Sequence, residues 1–505
     1  MASRTPDCTL AGPISMSNAV DGARPASPYA APGQLRAPPG VEPPDAITRQ
    51  DAVALAEAIA SGMLSSREVV TAFLDRIERL NPTYNAIVSL RPRADILADA
   101  DAADARTRAG ASLGLLHGLP IAIKDLMPTA GLRTTFGSPL FADSVPAEDG
   151  LAAARIRRAG AIIVGKTNTP EFGLGSHTVN PVFGATANAY DPALSAGGSS
   201  GGAAVALALR MLPVADGSDM GGSLRNPAGW NNVLGLRPTI GRVPSVAAGD
   251  VFTAPLATDG PMARTARDLA RLLDVMSGPD DRAPLSLPAP ARPFEDIAPA
   301  APGLRIGWLG DLDGHLPMEA GVAEASMAGL ARLEKAGYRV EPAQAAFDLD
   351  SLWRAFVVLR QNTIATQHRD LLNRADAGAM KPEMRWEIEG GLALSAQAIR
   401  EALVTRSAWY AEVSRLLRSV SFLALPTACV WPFPITETWP RTIAGRAMDS
   451  YHRWMEVVVG GTLAGLPVLA LPCGFTRACS SGLQLLAPPR SEDALLSVAQ
   501  AYEMT

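Results

Sequence analysis

The chain has 505 residues, 48% apolar and 19% charged, and 45 basic against 50 acidic residues give a net charge of −5. That composition supplies ample material for a buried core, and it excludes both a disordered body and a basic nucleic-acid surface as the main business of the chain. Four scattered cysteines (Cys8, Cys429, Cys473, Cys479) and five histidines form no metal-ligand cluster. Neither a disulfide framework nor structural zinc is expected, and a reducing, cytoplasmic setting is the reading.

Residues 1–45 are rich in Pro and Ala and read as a mobile arm. Order begins at Thr48-x-x-Asp51, a helix start. Ser65-x-x-Glu68 is a capping box, after which Val69, Val70, Phe73, Ile77 and Leu80 share one helical face until Asn81-Pro82 is expected to stop the helix. Leu119 to Lys124 reads as a strand, Leu151 to Arg158 as a helix, Ala161 to Gly165 as a strand, Ala203 to Leu209 as a helix and Leu212 to Ala215 as a strand. Buried apolar strands alternating with helices predict an α/β fold with a large mixed sheet, mostly parallel in its core and covered by helices on both faces.

The proline-rich stretch 278–303 reads as a surface crossover within one domain, 46–505; two domains meeting near 280–300 is the alternative. A strand (Leu304 to Leu309) and a helix (Val322 to Ala336) follow, then long helical stretches near 351–376 and 395–420, and a strand–turn–strand and helix at the end. Val457 to Phe475 carries no charge, but its glycines and prolines break it into a helix end, a turn and a buried strand, so no membrane span is expected.

Three segments carry candidate chemistry. Ile121-Ala-Ile-Lys124-Asp125 ends an apolar strand on a lysine, which by itself could simply reach to water. Gly197-Gly-Ser199-Ser200-Gly-Gly202 could be a plain flexible turn. It lacks the lysine of a phosphate loop, and although Gly197-x-Ser199-x-Gly201 matches a nucleophile elbow, no β-branched strand precedes it. Gly217-Ser218-Asp219-Met220-Gly221-Gly222-Ser223-Leu224-Arg225 is either a tight turn or a nest of N–H groups around a serine.

Together the three make chemical sense. A serine nucleophile needs a base, and no histidine lies in these segments. A lysine serves only once deprotonated, which means lowering its pKa from about 10.4 to about 7–8, a cost of roughly 4 kcal/mol. Burial at the end of an apolar strand imposes such a shift, and a second serine can relay the proton.

Here the sequence resembles the amidase signature family, whose catalytic unit is a Ser–cis-Ser–Lys triad. Lys124 precedes Ser199 by 75 residues and Ser199 precedes Ser223 by 24, as the family spacing requires. The blocks His117 to Asp125, Gly165 to Phe172, Gly197 to Gly202, Gly217 to Pro227, Gly235 to Pro238, Gly465-Leu-Pro-Val468 and Gly482-Leu-Gln484 carry the likeness over residues 48 to 500. The chain departs from it at Met220 and at Arg477 to Ser481.

The resemblance implies Ser223 as nucleophile, Ser199 as bridging serine next to a cis peptide bond, and Lys124 as base. It implies an oxyanion hole from the backbone N–H groups of Met220, Gly221, Gly222 and Ser223, with Ser200, Asp219 and Arg225 in support. The expected activity is hydrolysis of aryl or aliphatic amides and anilides, with carbamates and esters open to the same machinery and no metal or cofactor. The expected partner is a small-molecule amide, with no nucleic acid and no membrane, and self-association as a homodimer stays open. Trp431, Phe433, Trp439, Met448, Tyr451 and Trp454 are candidates for the acyl pocket or for plain core packing. The alternatives are a glutaminase-type subunit of a tRNA-dependent amidotransferase and a non-catalytic binding protein on the same fold.

Overall fold

A computed structural model describes residues 38–246, 250–253, 255–476 and 479–505. Most of the arm expected over 1–45 lies outside these, as do Arg477 and Ala478. Of the arm's described end, Glu42 gives its carbonyl to Arg76.

Helices α1 (Ala52–Ala60) and α2 (Ser66–Tyr84) open the described chain. Asp51 caps the first through Ala54 N–H. Ser65 and Glu68 close the second with a reciprocal capping box. The helix does not stop at Asn81-Pro82: it runs to Tyr84 and ends where Asn85 takes the left-handed conformation. Proline in a last turn forfeits one hydrogen bond that the neighbouring bonds outweigh. Strand β1 (Ile87–Val88), α3 (Arg93–Arg108), β2 (Pro120–Lys124), α4 (Leu151–Arg158) and β3 (Ile162–Thr167) follow. The three strands form a small sheet in the order β1-β3-β2, with β2 and β3 parallel.

After the short hairpin β4 (Val179–Asn180) and β5 (Gly184–Ala185) come α5 (Gly201–Ala208), β6 (Val214–Asp219), α6 (Arg225–Trp230), β7 (Leu234–Arg237), β8 (Thr258–Ala263) and α7 (Ala266–Met276). The crossover 278–303 holds no helix or strand. Beyond it lie β9 (Arg305–Trp308), α8 (Val322–Lys335), β10 (Arg339–Pro342), α9 (Leu349–His368), α10 (Pro382–Leu392), α11 (Ala396–Leu417) and β11 (Phe422–Pro426). The hairpin β12 (Thr442–Ile443) and β13 (Arg446–Ala447), then α12 (Val459–Ala464), β14 (Val468–Thr476), β15 (Cys479–Leu486) and α13 (Glu492–Glu503), complete the chain. The uncharged stretch 457–475 becomes a helix end, a turn at Gly465 and the buried strand β14. No helix among the described residues is long and apolar enough to cross a membrane.

The fold is mixed α/β around an eight-stranded sheet in the order β10-β9-β11-β15-β14-β7-β8-β6. The sheet is mixed, as expected, but its core is not mostly parallel. Only β10-β9 and β9-β11 are parallel, and every other neighbour in that sheet runs antiparallel. The cause is that β14 and β15 form a sequential hairpin in the middle of the sheet, while β7 and β8 return next to β6. Alternation along the central hairpin feeds two cores. Leu469, Leu471, Leu483 and Leu485 pack with α7, α8 and α13, while Val468 and Leu486 turn toward α9, α11 and α12.

Candidate active site

The site is assembled where β2 and β6 end side by side. Lys124 is the last residue of β2 and is 1% exposed; its backbone N–H donates to Asp216 Oδ1 of β6 at 3.0 Å. Its amine meets Ser199 Oγ at 2.9 Å, Ser200 Oγ at 2.8 Å and Ser218 Oγ at 3.0 Å, with the Ser218 carbonyl at 3.3 Å. Burial depresses the Lys124 amine to about 7, and the nearby carboxylates of Asp216, Asp259 and Asp219 oppose that shift.

A neutral amine has two hydrogens and one lone pair. Ser200 Oγ donates to Ser218 O (3.4 Å), which leaves Ser200 to accept from the amine. The ammonium form donates to Ser199; once neutral, with its second hydrogen given to Ser218, the amine has its lone pair left for the Ser199 hydroxyl.

Ser199 and Ser200 lie at the turn into α5, and the Gly198–Ser199 peptide bond is cis. Gly217 of β6 is a glycine because Ser200 sits against it: a Cβ there would lie 2.7 Å from Ser200 Oγ. Ser200 N–H reaches across to the Ser223 carbonyl at 3.3 Å, so the two serine segments touch. Among the described residues the Ser223 hydroxyl has no hydrogen-bond partner, and Ser223 is 7% exposed.

Residues 220–224 turn from β6 into α6 around the Asp219 carboxylate. Asp219 accepts from Gly222 N–H (2.9 Å), Leu224 N–H (3.1 Å) and Arg225 Nε and Nη2 (3.0 and 2.9 Å), and Arg237 donates to its carbonyl. Burial alone would raise this carboxyl, but the facing guanidinium groups of Arg225 and Arg237 hold it well below the usual carboxylate range. Arg225 also donates to Val458 O, Gln484 Oε1 and Thr462 Oγ1. Gly222 has φ +91°, and a Cβ on it would lie 2.9 Å from Val458 Cγ2. Its N–H, expected to face an oxyanion, is instead spent on Asp219. Among the described residues, the N–H groups of Met220, Gly221 and Ser223 have no protein acceptor.

Helix α9 covers this turn. Phe356 Cζ and Met455 Cε stand 3.8 and 4.0 Å from where a Gly221 Cβ would be, and Arg360 Nη1 donates to Met220 Sδ at 3.1 Å. Of the pocket candidates, Tyr451 joins this wall, its hydroxyl held by Arg360 Nη2 at 2.8 Å. Trp454 stacks on Trp230 (5.9 Å between centroids), with Phe433 edge-on to both. Met448 is buried in the same cluster. Trp431 is tied instead to Ala320 O and Trp439 lies under Arg441, both only half-buried.

Sequence reasoning passed over Ser218, Asp216, Phe356 and Arg360. Ser218 stood in a quoted motif without a role. Phe356 and Arg360 are four apart on one helix face, a spacing that every core helix shows.

A buried lysine amine against serine hydroxyls, beside a turn with free N–H donors, defines a serine-hydrolase-type site without histidine. The sequence matches the Amidase family over residues 68–496, and the chain belongs to that family, the amidase signature hydrolases that act on C–N amide bonds. It is 36% identical to a glutamyl-tRNA(Gln) amidotransferase subunit from Thermus thermophilus, over 88% of this chain and 95% of the relative. It is 33% identical to the subunit of the same name from Pseudomonas entomophila, over 89% and 96%. Its structure is similar to that of a bacterial aryl acylamidase of the amidase signature family (TM-score 0.85, 26% identity, 90% of this chain and 96% of that one). It is also similar to 6-aminohexanoate cyclic dimer hydrolase (TM-score 0.78, 27% identity, 90% and 97%).

Proposed function

We propose that the chain hydrolyses carboxylic amides, aryl and aliphatic amides and anilides foremost, through an acyl-enzyme on Ser223. The observation that carries this reading is the buried Lys124 amine, depressed to about 7 and 2.9 Å from Ser199 Oγ. Neutral Lys124 takes the Ser199 proton while Ser199 takes that of Ser223, whose oxygen attacks the amide carbon. The contact between the two serine hydroxyls closes as substrate seats, since catalytic hydrogen bonds are often long in the free enzyme. The N–H groups of Met220, Gly221 and Ser223 receive the negative charge on the carbonyl oxygen, each worth about 3–4 kcal/mol in the transition state. The proton returns through Ser199 to the departing nitrogen, amine leaves, and water cleaves the ester by the same route. Ser200, Asp219 and Arg225 hold this geometry. The chemistry calls for no metal or cofactor, and carbamates and esters are open to it.

The apolar wall of Phe356 and Met455 beside Gly221 and of Val458 beside Gly222 favours an uncharged acyl group. The family likeness to an aryl acylamidase supports the same choice. The relatives named as amidotransferase subunits favour a second reading, a glutaminase-type subunit that works with a companion protein. Purified chain alone, assayed with anilides, short aliphatic amides and glutamine, separates the two. Cleavage of anilides with kcat/KM rising through pH about 7 is expected. Activity confined to glutamine in the presence of a companion overturns the first reading, and full activity in Ser223→Ala overturns the assignment of the nucleophile.

A further inference from the structure

Asp259 is a charged side chain that this mechanism leaves unused. It lies on β8 directly opposite Ser218 of β6. Residues opposed across an antiparallel pair project from the same face, with Cβ atoms about 5 Å apart. On that face Ser218 Oγ meets the Lys124 amine, and Asp216, two residues earlier, takes the Lys124 backbone N–H. Asp216 accepts the Lys124 backbone N–H at Oδ1, and Asp219 is bound by Arg225 and Arg237, so each carboxylate has a hydrogen-bonding role as well as its charge. The Asp259 carboxylate is half-buried and, among the described residues, accepts no hydrogen bond. A carboxylate with no hydrogen bond acts on its surroundings through charge.

The other ionisable groups around β2 are accounted for. β3 contributes Lys166, which donates to Met127 O and Thr129 Oγ1 and lies near Asp125. α5 has no ionisable side chain. The charged residues of α2 are engaged with Asp101, Arg93, Glu42, the Leu209 carbonyl and the helix's own cap.

We propose that Asp259 is a positioning carboxylate for Lys124: its charge governs how readily the amine releases a proton and so fixes the acidic limit of the reaction. The proposal rests on the reading of Lys124 as base. The mutual influence is visible in both groups, since burial and the Asp216 charge lift Asp259 to about 7 while the Lys124 ammonium opposes that rise. An ionised Asp259 favours the ammonium form, so removing its charge makes Lys124 neutral at lower pH.

The test is the pH profile of kcat/KM for anilide cleavage. In Asp259→Asn the acidic limb moves down by about half a pH unit or more. The difference is read on the limb itself, near pH 7 and above, where wild-type Asp259 carries its charge; at lower pH Asp259 is protonated and the two profiles converge. Asp259→Glu restores the wild-type limb. A limb in D259N that coincides with that of the wild type overturns the proposal, whatever happens to the plateau, because a structural role lowers the plateau without moving the limb. Asp259→Ser carries the same expectation where D259N does not fold. Failure of the underlying reading looks different: Lys124→Ala would then keep both plateau and limb.

Discussion

Two lysines end up buried on neighbouring strands, and only one is built as a base. Lys124 on β2 and Lys166 on β3 are both essentially without solvent, and burial lowers both, to about 7 and about 8. Lys166 spends its hydrogens on a backbone carbonyl and on Thr129, whose hydroxyl is itself tied to Met127 O. Lys124 faces three serine hydroxyls, and one of these, on Ser199, belongs to a segment that touches Ser223 through the Ser200–Ser223 backbone bond. Desolvation makes an amine neutral. A hydroxyl chain that leads outward makes the neutral amine useful.

The largest expected effect separates the two directly. Lys124→Met lowers kcat/KM by about 10³-fold at neutral pH, whereas Lys166→Met stays within about tenfold of wild type and loses its activity, if at all, through KM and stability. Equal losses in both variants would mean that the strand pair, and not one amine, carries the chemistry. Next in size is the cluster that holds the turn. Asp219→Asn leaves Arg225 and Arg237 buried without a carboxylate and is expected to cost about 3–5 kcal/mol of stability, read from denaturant midpoints.

A third test sharpens the contrast through proton linkage. Folding holds the Lys124 amine near 7 against an ordinary value of 10.5. Between those values the unfolded chain binds the extra proton, so wild-type stability rises with pH there. Lys124→Met lacks that proton, and the stability of wild type relative to K124M is expected to climb from pH 7 to pH 10. A flat difference would show that the amine is not desolvated. The aromatic segment divides in two, and the smallest effect of all lies at Trp431, where Trp431→Ala leaves kcat/KM within about twofold. Trp454→Ala, from the stacked cluster, costs about 3–5 kcal/mol in stability.

Much of this was legible in the residues. The capping box at Ser65, the strand ending on Lys124 and the two glycine–serine turns each announce a local conformation, because caps and tight turns depend on side chains within a few positions. The pairing sense of the large sheet was not legible. A strand buried on both faces is a continuous apolar run whether its neighbours run parallel or antiparallel, so only the short turn between β14 and β15 announced a direction, and the other pairings carried no sign of one. Helix α10 falls between the two long helical stretches expected near 351–376 and 395–420; it begins on Pro382, and a proline in the first turn costs little. Ser218 and Asp259 come together only through the β6–β8 register, and no local pattern reports that.

Gln484 lies 259 residues beyond Arg225 in the chain, yet its side-chain oxygen receives that guanidinium at 2.8 Å. The same amide donates to Pro426 O and Val457 O. A polypeptide truncated before its last hairpin would therefore retain Lys124, Ser199 and Ser223 but lose the clasp that sets the curve of residues 220–224. Catalytic competence should then emerge only after β14 and β15 have docked, so a site whose lysine and serines come from one half of the sequence is armed by strands from the other.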